Sequence, residues 1–549
     1  MASSLSISMS RNVARTARKS ALAHSLRGSI AGIATLSHSW KGIRQQGETL
    51  PNYCNGKFVE SSASKLSPVH DPTNQDVLCQ APDTTAEEFE AIVSAAQEAF
   101  PAWRATSLLG RQQIMFKFAA LLREHQQEIA RVITSEQGKT FGDAMGDVLR
   151  GLQVVEFATG APSLLLDKRL EVSSNMDTFV RTEPLGVTAS INPFNFPAMC
   201  PLWSIPVALV TGNTHIVKPS ERVPGASQII VELAEKAGVP PGVLSVVHGT
   251  HDTVNRICDD PRIKAISFVG SDRGGAHVYH RGTKNGKRVQ SNLGAKNHAV
   301  LMPDADRDAA LDAIAGAAFG AAGQRCMALS VVVTVGDAGE WIEDGIMQRA
   351  KALKVGNGIE SDVDLGPLIS PAARKRVIEL IGSCEKEGGK ILLDGRKFMA
   401  DSLPDGNWVG PSILEAKPGM SCYDQEIFGP ALVVIRAKTI DEALAIVNEN
   451  PYGNGAAVFT TSGNVARRFE MECNAGQIGV NVAVPVPLPM FSWSGGKASV
   501  LGGHGFYGTA GVEFYTKRKT ITSLWKPIMP PSATGSHSGK ASVNMPTMS

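Results

Sequence analysis

GVTASINPF (186–194), NTHIVKPS (213–220), GASQIIVELAEKAG (225–238), GVLSVVHG (242–249) and AISFVGS (265–271) read in turn as strand, strand, helix, strand and strand. Gly238 closes the helix, as a residue free to turn left-handed does. Four short β-rich runs separated by helical stretches form βαβ units, and a doubly wound parallel sheet of the nucleotide-binding type is the expected result. Working outward, the same alternation continues from about residue 45 onward, so the fold class is α/β. The segment 84–100 opens with threonines and sets Phe89, Ile92, Val93 and Ala96 on one face, predicting a helix packed inward. Two stretches break the pattern. RLEVSSNMDTFVRTEP (169–184) reads as a hairpin turning between Ser173 and Met176, and VEFYTKRKTITSL (512–524) as an alternating late strand. Strands set apart from the main sheets are suited to pairing across subunits, which predicts a homo-oligomer, dimer or tetramer.

The chain has 549 residues, 43% hydrophobic and 19% charged, enough for three or four units at roughly 150 residues each. Its net charge of +2 conceals an asymmetry, because seven basic residues and no acid precede Glu48. Removing those seven charges leaves the body at −5, without the dense basic face that nucleic-acid binding requires. No apolar run is long enough to span a membrane. The first forty residues hold ten serines, with Arg11, Arg15 and Arg18 on one helical face. That composition predicts a mitochondrial transit segment and a matrix location, the alternative being a plain basic tail. Eight scattered cysteines without CxxC pairs or zinc-spaced histidines predict a reducing compartment and no metal. His215 and His298, in apolar strands, read as satisfied core or edge histidines.

Chemistry is expected in four places. Cys326 lies in FGAAGQRCMALS (319–330), where small residues permit close backbone approach. Arg325 beside it favours the reactive thiolate; the alternative is one more buried cysteine. INPFNFPAMCP (191–201) sets Asn192 and Asn195 between prolines, positions from which an amide can donate to an oxyanion or cap the following helix as an Asx turn. KPSE (218–221) ends a strand with Lys218 and Glu221, placed either to hold a ribose or simply to face solvent. Gly270, Ser271, Gly274 and Gly275 follow at a strand-to-helix turn that only loosely matches a pyrophosphate fingerprint.

NPFNFP, KPSE, FVGS, GQRC and EIFGP (426–430), in this order, resemble the aldehyde dehydrogenase superfamily over about residues 45–525. The resemblance implies a domain plan: a transit segment at 1–45, an NAD-binding domain at 46–166 and 185–294, and a catalytic domain at 295–504. An oligomerisation arm of 167–184 and 505–525 and a disordered, Pro/Ser/Gly-rich tail at 526–549 complete it. It further implies that Cys326 attacks an aldehyde, with Asn195 and the Cys326 N–H as oxyanion hole. Asn192, Phe194, Lys218, Glu221, Gly270, Ser271, Glu426 and Phe428 would hold NAD.

One departure matters more than the matches. Where hydrolytic members carry a glutamate that activates water, this chain has SNLGAK, with Asn292. An amide cannot accept that proton, and general-base assistance is worth about 10²–10⁴-fold. Another nucleophile must finish the turnover, and the same Asn, with GQRCMA, DVLRGLQVVE (147–156) and VPLPMFSWSG (486–495), is similar to the CoA-acylating semialdehyde dehydrogenases of the family. That branch implies coenzyme A as co-substrate, methylmalonate or malonate semialdehyde as substrate, and propionyl- or acetyl-CoA, CO₂ and NADH as products. Arg150 and Arg325 would hold the substrate carboxylate, as forked donors suited to it; a surface ion pair and a thiolate stabiliser are their plainer readings. A hydrolytic enzyme releasing free acid, and a non-catalytic nucleotide-binding protein, are the competing expectations.

Overall fold

The computed structural model describes residues 39–503 and 505–525; most of the expected transit segment (residues 1–38 of 1–45) and the expected tail at 526–549 lie outside the described residues. Strands are packed in two large sheets. The first runs β19 (Val500–Leu501), β11 (Arg288–Asn292), β10 (Ile263–Val269), β7 (Val187–Ile191), β8 (Thr214–Lys218), β9 (Leu244–Val246), β1 (Asn52–Cys54), β2 (Lys57–Val59). Its five central strands are parallel, β11 to β9. β7 and β8 are buried throughout, as strands covered on both faces must be. Chain order reverses direction between β7 and β10, and such a switch point opens the crevice where open α/β sheets take ligands.

The second sheet runs β14 (Lys390–Leu393), β15 (Ser412–Glu415), β16 (Ala431–Ala437), β13 (Leu329–Val335), β12 (Asn297–Leu301), β17 (Gly455–Phe459), β18 (Gln477–Val480). All are parallel except β14. A third sheet joins β5 (Arg169–Ser173), β6 (Met176–Pro184) and β20 (Thr516–Leu524), and β3 (Leu66–His70) pairs with β4 (Val77–Pro82).

Helix α1 (Ala86–Ala105) carries the expected buried face and a reciprocal Thr85–Glu88 capping box, and runs beyond residue 100 through Pro101. Helices α2 (Phe141–Ala158), α3 (Met199–Val210), α4 (Gly225–Ala237) and α5 (Asp272–Lys284) surround the first sheet. Gly238 ends α4 in the left-handed region, φ 103°.

Three expectations are corrected. Residues 512–514 are the end of a helix, Gly508–Phe514, because Val512, Phe514 and Tyr515 pack inward; the strand begins at Thr516. β20 pairs with β6 over nine residues within the same chain, so at least this seam of the arm is not between subunits. The folded body also starts before residue 46: Trp40 and Ile43 are buried, and Trp40 Nε1 donates to Glu128 at 2.5 Å. At the other end, β19 leaves the second unit to join the first sheet.

Candidate active site

The C-terminal ends of β7, β8 and β10 open into a cleft of about 730 Å³ that is closed opposite by the second sheet's loops. Ten of the twelve singled-out residues line it: Asn192, Phe194, Asn195, Lys218, Glu221, Gly270, Ser271, Cys326, Glu426 and Phe428. Arg150 and Arg325 do not.

Cys326 follows a turn in which Ala321, Ala322 and Gly323 are all left-handed, φ 50°, 53° and 70°. Non-glycine residues held there store strain, a recurrent feature of functional loops. Gly323 is required for space as well, since a Cβ would stand 2.0 Å from the Gly429 carbonyl oxygen. The Cys326 carbonyl accepts from Asn297 Nδ2 at 2.9 Å and Asn454 Nδ2 at 3.1 Å, which fixes the backbone on either side of the sulfur. Burial pushes the Cys326 thiol up to about 12, and the nearby Glu426 acts in the same direction. The expectation that Arg325 draws out the thiolate is corrected here: its guanidinium pairs with Asp143 at the start of α2. Arg325's weak pull does not offset desolvation.

Across the cleft, Asn195 is buried and its Nδ2 donates to Gln324 O at 3.0 Å, an inter-domain bond rather than an Asx turn. A carboxamide nitrogen has two protons, so one remains for the cleft. Asn192 is held instead within its own sheet, donating to Ser190 Oγ at 3.1 Å and Lys218 O at 3.3 Å.

Lys218, buried, donates to Pro219 O at 2.8 Å and stands 3.6 Å from Glu221, with burial lowering its ammonium. Ser271 caps α5, its Oγ accepting from Gly274 N at 3.3 Å, and leaves that helix's N-terminus toward the cleft. A Cβ at Gly275 would stand 1.9 Å from the end of the Leu293 side chain, which would have to shift to admit it. Glu426 accepts from Ala295 N at 3.0 Å, and burial raises its carboxyl to about 7. Phe428 is left-handed, φ 55°, and its ring meets Phe194 edge-on at 5.9 Å.

A dinucleotide fits this donor set. Lys218 and Glu221 suit ribose hydroxyls, the α5 N-terminus suits pyrophosphate, and Glu426 with Phe428 suits a second ribose and ring beside Cys326. Sequence reasoning missed the supports: Arg376 donates to the Glu426 and Ile427 carbonyls, Lys296 to the Cys422 and Gln425 carbonyls, and Tyr452 to Asp272 at 2.6 Å. These depend on distant pairings without a local signature.

Asn292 ends β11 wholly buried, and neither its Nδ2 nor its Oδ1 has a partner. Arg150 lines a separate small cavity of about 10 Å³ with Val154, Met199, Trp203 and Tyr507. His215 and His298 are core histidines, held by Thr188, Ser190 and Ser204 and by Lys296 O and Tyr423, with burial lowering both to about 3. Among the described residues no cluster could hold a metal ion, and no helix is long and apolar enough to cross a membrane.

A cysteine and an amide donor facing each other at the base of a dinucleotide cleft define the class. The aldehyde dehydrogenase family pattern matches residues 58–521, and the chain belongs to that family. It is 55% identical over 481 residues to an Arabidopsis thaliana protein named methylmalonate-semialdehyde dehydrogenase, acylating, mitochondrial, covering 87% of this chain and 79% of that one. A Rattus norvegicus protein named methylmalonate-semialdehyde/malonate-semialdehyde dehydrogenase, acylating, mitochondrial, is 52% identical over 480 residues, covering 87% and 90%. A Sinorhizobium meliloti structure complexed with NAD superposes with TM-score 0.87 at 38% identity, covering 88% of this chain and all of that one.

Proposed function

We propose that the chain is an NAD-dependent, CoA-acylating dehydrogenase of methylmalonate and malonate semialdehyde, working as a homo-oligomer in the mitochondrial matrix. The observation that carries the reading is Cys326 set opposite Asn195 in the cleft, with a buried amide, Asn292, where hydrolytic relatives carry their base.

Arg150 anchors the substrate carboxylate. Arg325 adds a second anchor only after exchanging Asp143 for the substrate. Cys326 passes its proton to water in the cleft as the aldehyde arrives, and its sulfur adds to the carbonyl carbon. Asn195 Nδ2 and the Cys326 N–H take the resulting oxyanion, a contribution typically worth about 10²–10³ per donor. NAD, when bound, supplies the hydride acceptor. Lys218, Glu221, Ser271 and Glu426 orient it, and Phe428 walls the ring side against water. Collapse of the oxyanion leaves a thioester on Cys326. The β-carboxylate then departs as CO₂, its electron pair passing to the thioester enolate, which a proton quenches. Without a base at Asn292, water is a poor second nucleophile, and the thiolate of CoA takes the acyl group and restores Cys326.

Rapid-mixing absorbance at 340 nm on residues 39–549, with NAD and either semialdehyde, tests this. A near-stoichiometric NADH burst should stall without CoA, resume with it as propionyl- or acetyl-CoA forms, and vanish in Cys326→Ala. Steady CoA-independent formation of free acid would place the chain with the hydrolytic enzymes.

A further inference from the structure

Lys139 and Asp147 form an ion pair at 3.3 Å with side-chain exposures of 1% and 0%. A buried pair adds little net stability over apolar residues of the same volume, so its presence calls for another explanation. Outside the pair itself, its side-chain hydrogen bonds to Asn195 and Met199 go to one loop. Lys139 Nζ donates to Asn195 O at 2.5 Å and lies 4.3 Å from the centroid of the Phe196 ring. Asp147 Oδ1 accepts from Met199 N at 2.7 Å, at the first residue of α3. The loop 195–199 is thus gripped at both ends and on the ring between. Burial raises the Asp147 carboxyl, while Lys139 and the Met199 and Ala198 N–H groups pull the other way.

The pair also stands in register with substrate. Asp147 is three residues before Arg150 on α2, so the two share a helix face. A shift of α2 would carry Arg150 and the Asn195 loop together.

We propose that Lys139 and Asp147 are positioning residues that clamp the oxyanion loop, holding the Asn195 amide at the geometry that acylation of Cys326 needs. The proposal rests on the reading of Cys326 and Asn195 given above. Neither residue touches the reacting atoms, and neither lines the cleft.

The test is the double variant Lys139→Met/Asp147→Leu, which removes both charges together. The expected result is wild-type NAD affinity by fluorescence titration, a melting temperature close to wild type, and a burst rate constant lowered about 10–100-fold, the cost of a misplaced rather than absent donor. Iodoacetamide should label Cys326 at the wild-type rate, because that displacement forms no oxyanion. A burst within about twofold of wild type, or labelling slowed as much as the burst, overturns the clamp. Where the double variant fails to accumulate, Asp147→Asn is nearly isosteric and reads out the same way: a slowed burst with unchanged labelling supports the clamp, and an unchanged burst overturns it. Wild-type protein without a Cys326-dependent burst would instead defeat the underlying reading, and the clamp with it.

Discussion

The two walls of the cleft are held by different means. On the first-sheet wall, the Asn195 amide donates one proton to the main-chain carbonyl of Gln324, and the side chains of a buried lysine and aspartate grip its loop. On the second-sheet wall, Cys326 follows a turn of three left-handed residues, the last of them Gly323 pressed against Gly429, and the Asn297 and Asn454 amides hold its carbonyl. The donor can therefore be removed with its scaffold intact, whereas the nucleophile cannot be displaced without disturbing what lies behind it. Gly429 follows Phe428, so the turn that aims the sulfur leans on the loop before β16 that also carries Phe428 into the cleft.

The largest effect is expected from Asn195→Ala. It should lower the NADH burst rate constant by about 10²–10³-fold, the value of one oxyanion donor, while leaving the KM for NAD near wild type. A loss of less than about tenfold would mean the Cys326 N–H carries the oxyanion alone. Gly323→Ala should act on both properties. A Cβ in left-handed backbone against a carbonyl costs about 2–4 kcal/mol of stability by strain and overpacking, and the displaced sulfur slows the burst by roughly tenfold or more. The KM for NAD should rise with it; an unchanged KM would separate the turn from Phe428. The smallest effect is in pH. Glu426 has its carboxyl raised to about 7 by burial, so it is protonated below that value and becomes an acceptor for ribose hydroxyls above it. The KM for NAD should fall severalfold as pH rises through about 7, and Glu426→Gln should remove that dependence; a titration that survives the substitution belongs to another group.

The legibility of the sequence follows the same division. The β7 to β10 region was readable because buried parallel strands are continuous apolar runs and Gly238 marks a helix end in sequence as in space. The gathering of ten candidate residues in one cleft was readable because they sit in short motifs next to strands. What escaped is long-range. Asp143 lies 182 residues from the arginine it captures, so Arg325 looked free to serve the thiolate. Lys139 and Asp147 reach loop residues 56 and 52 positions away. The alternation at 512–515 resembled a strand because both a helix end and a strand can bury Val512 and Phe514. Trp40 carries no sign, in a serine-rich basic leader, that it will be buried against Glu128.

Asn195 to Gln324, Ala295 to Glu426 and Asp272 to Tyr452 all bridge the space between the two sheets. Such stitching turns a hinge into a slot. Traffic through it is then a matter of threading rather than swinging, and an occupant's dwell time is governed by how quickly it sheds contacts along its own length.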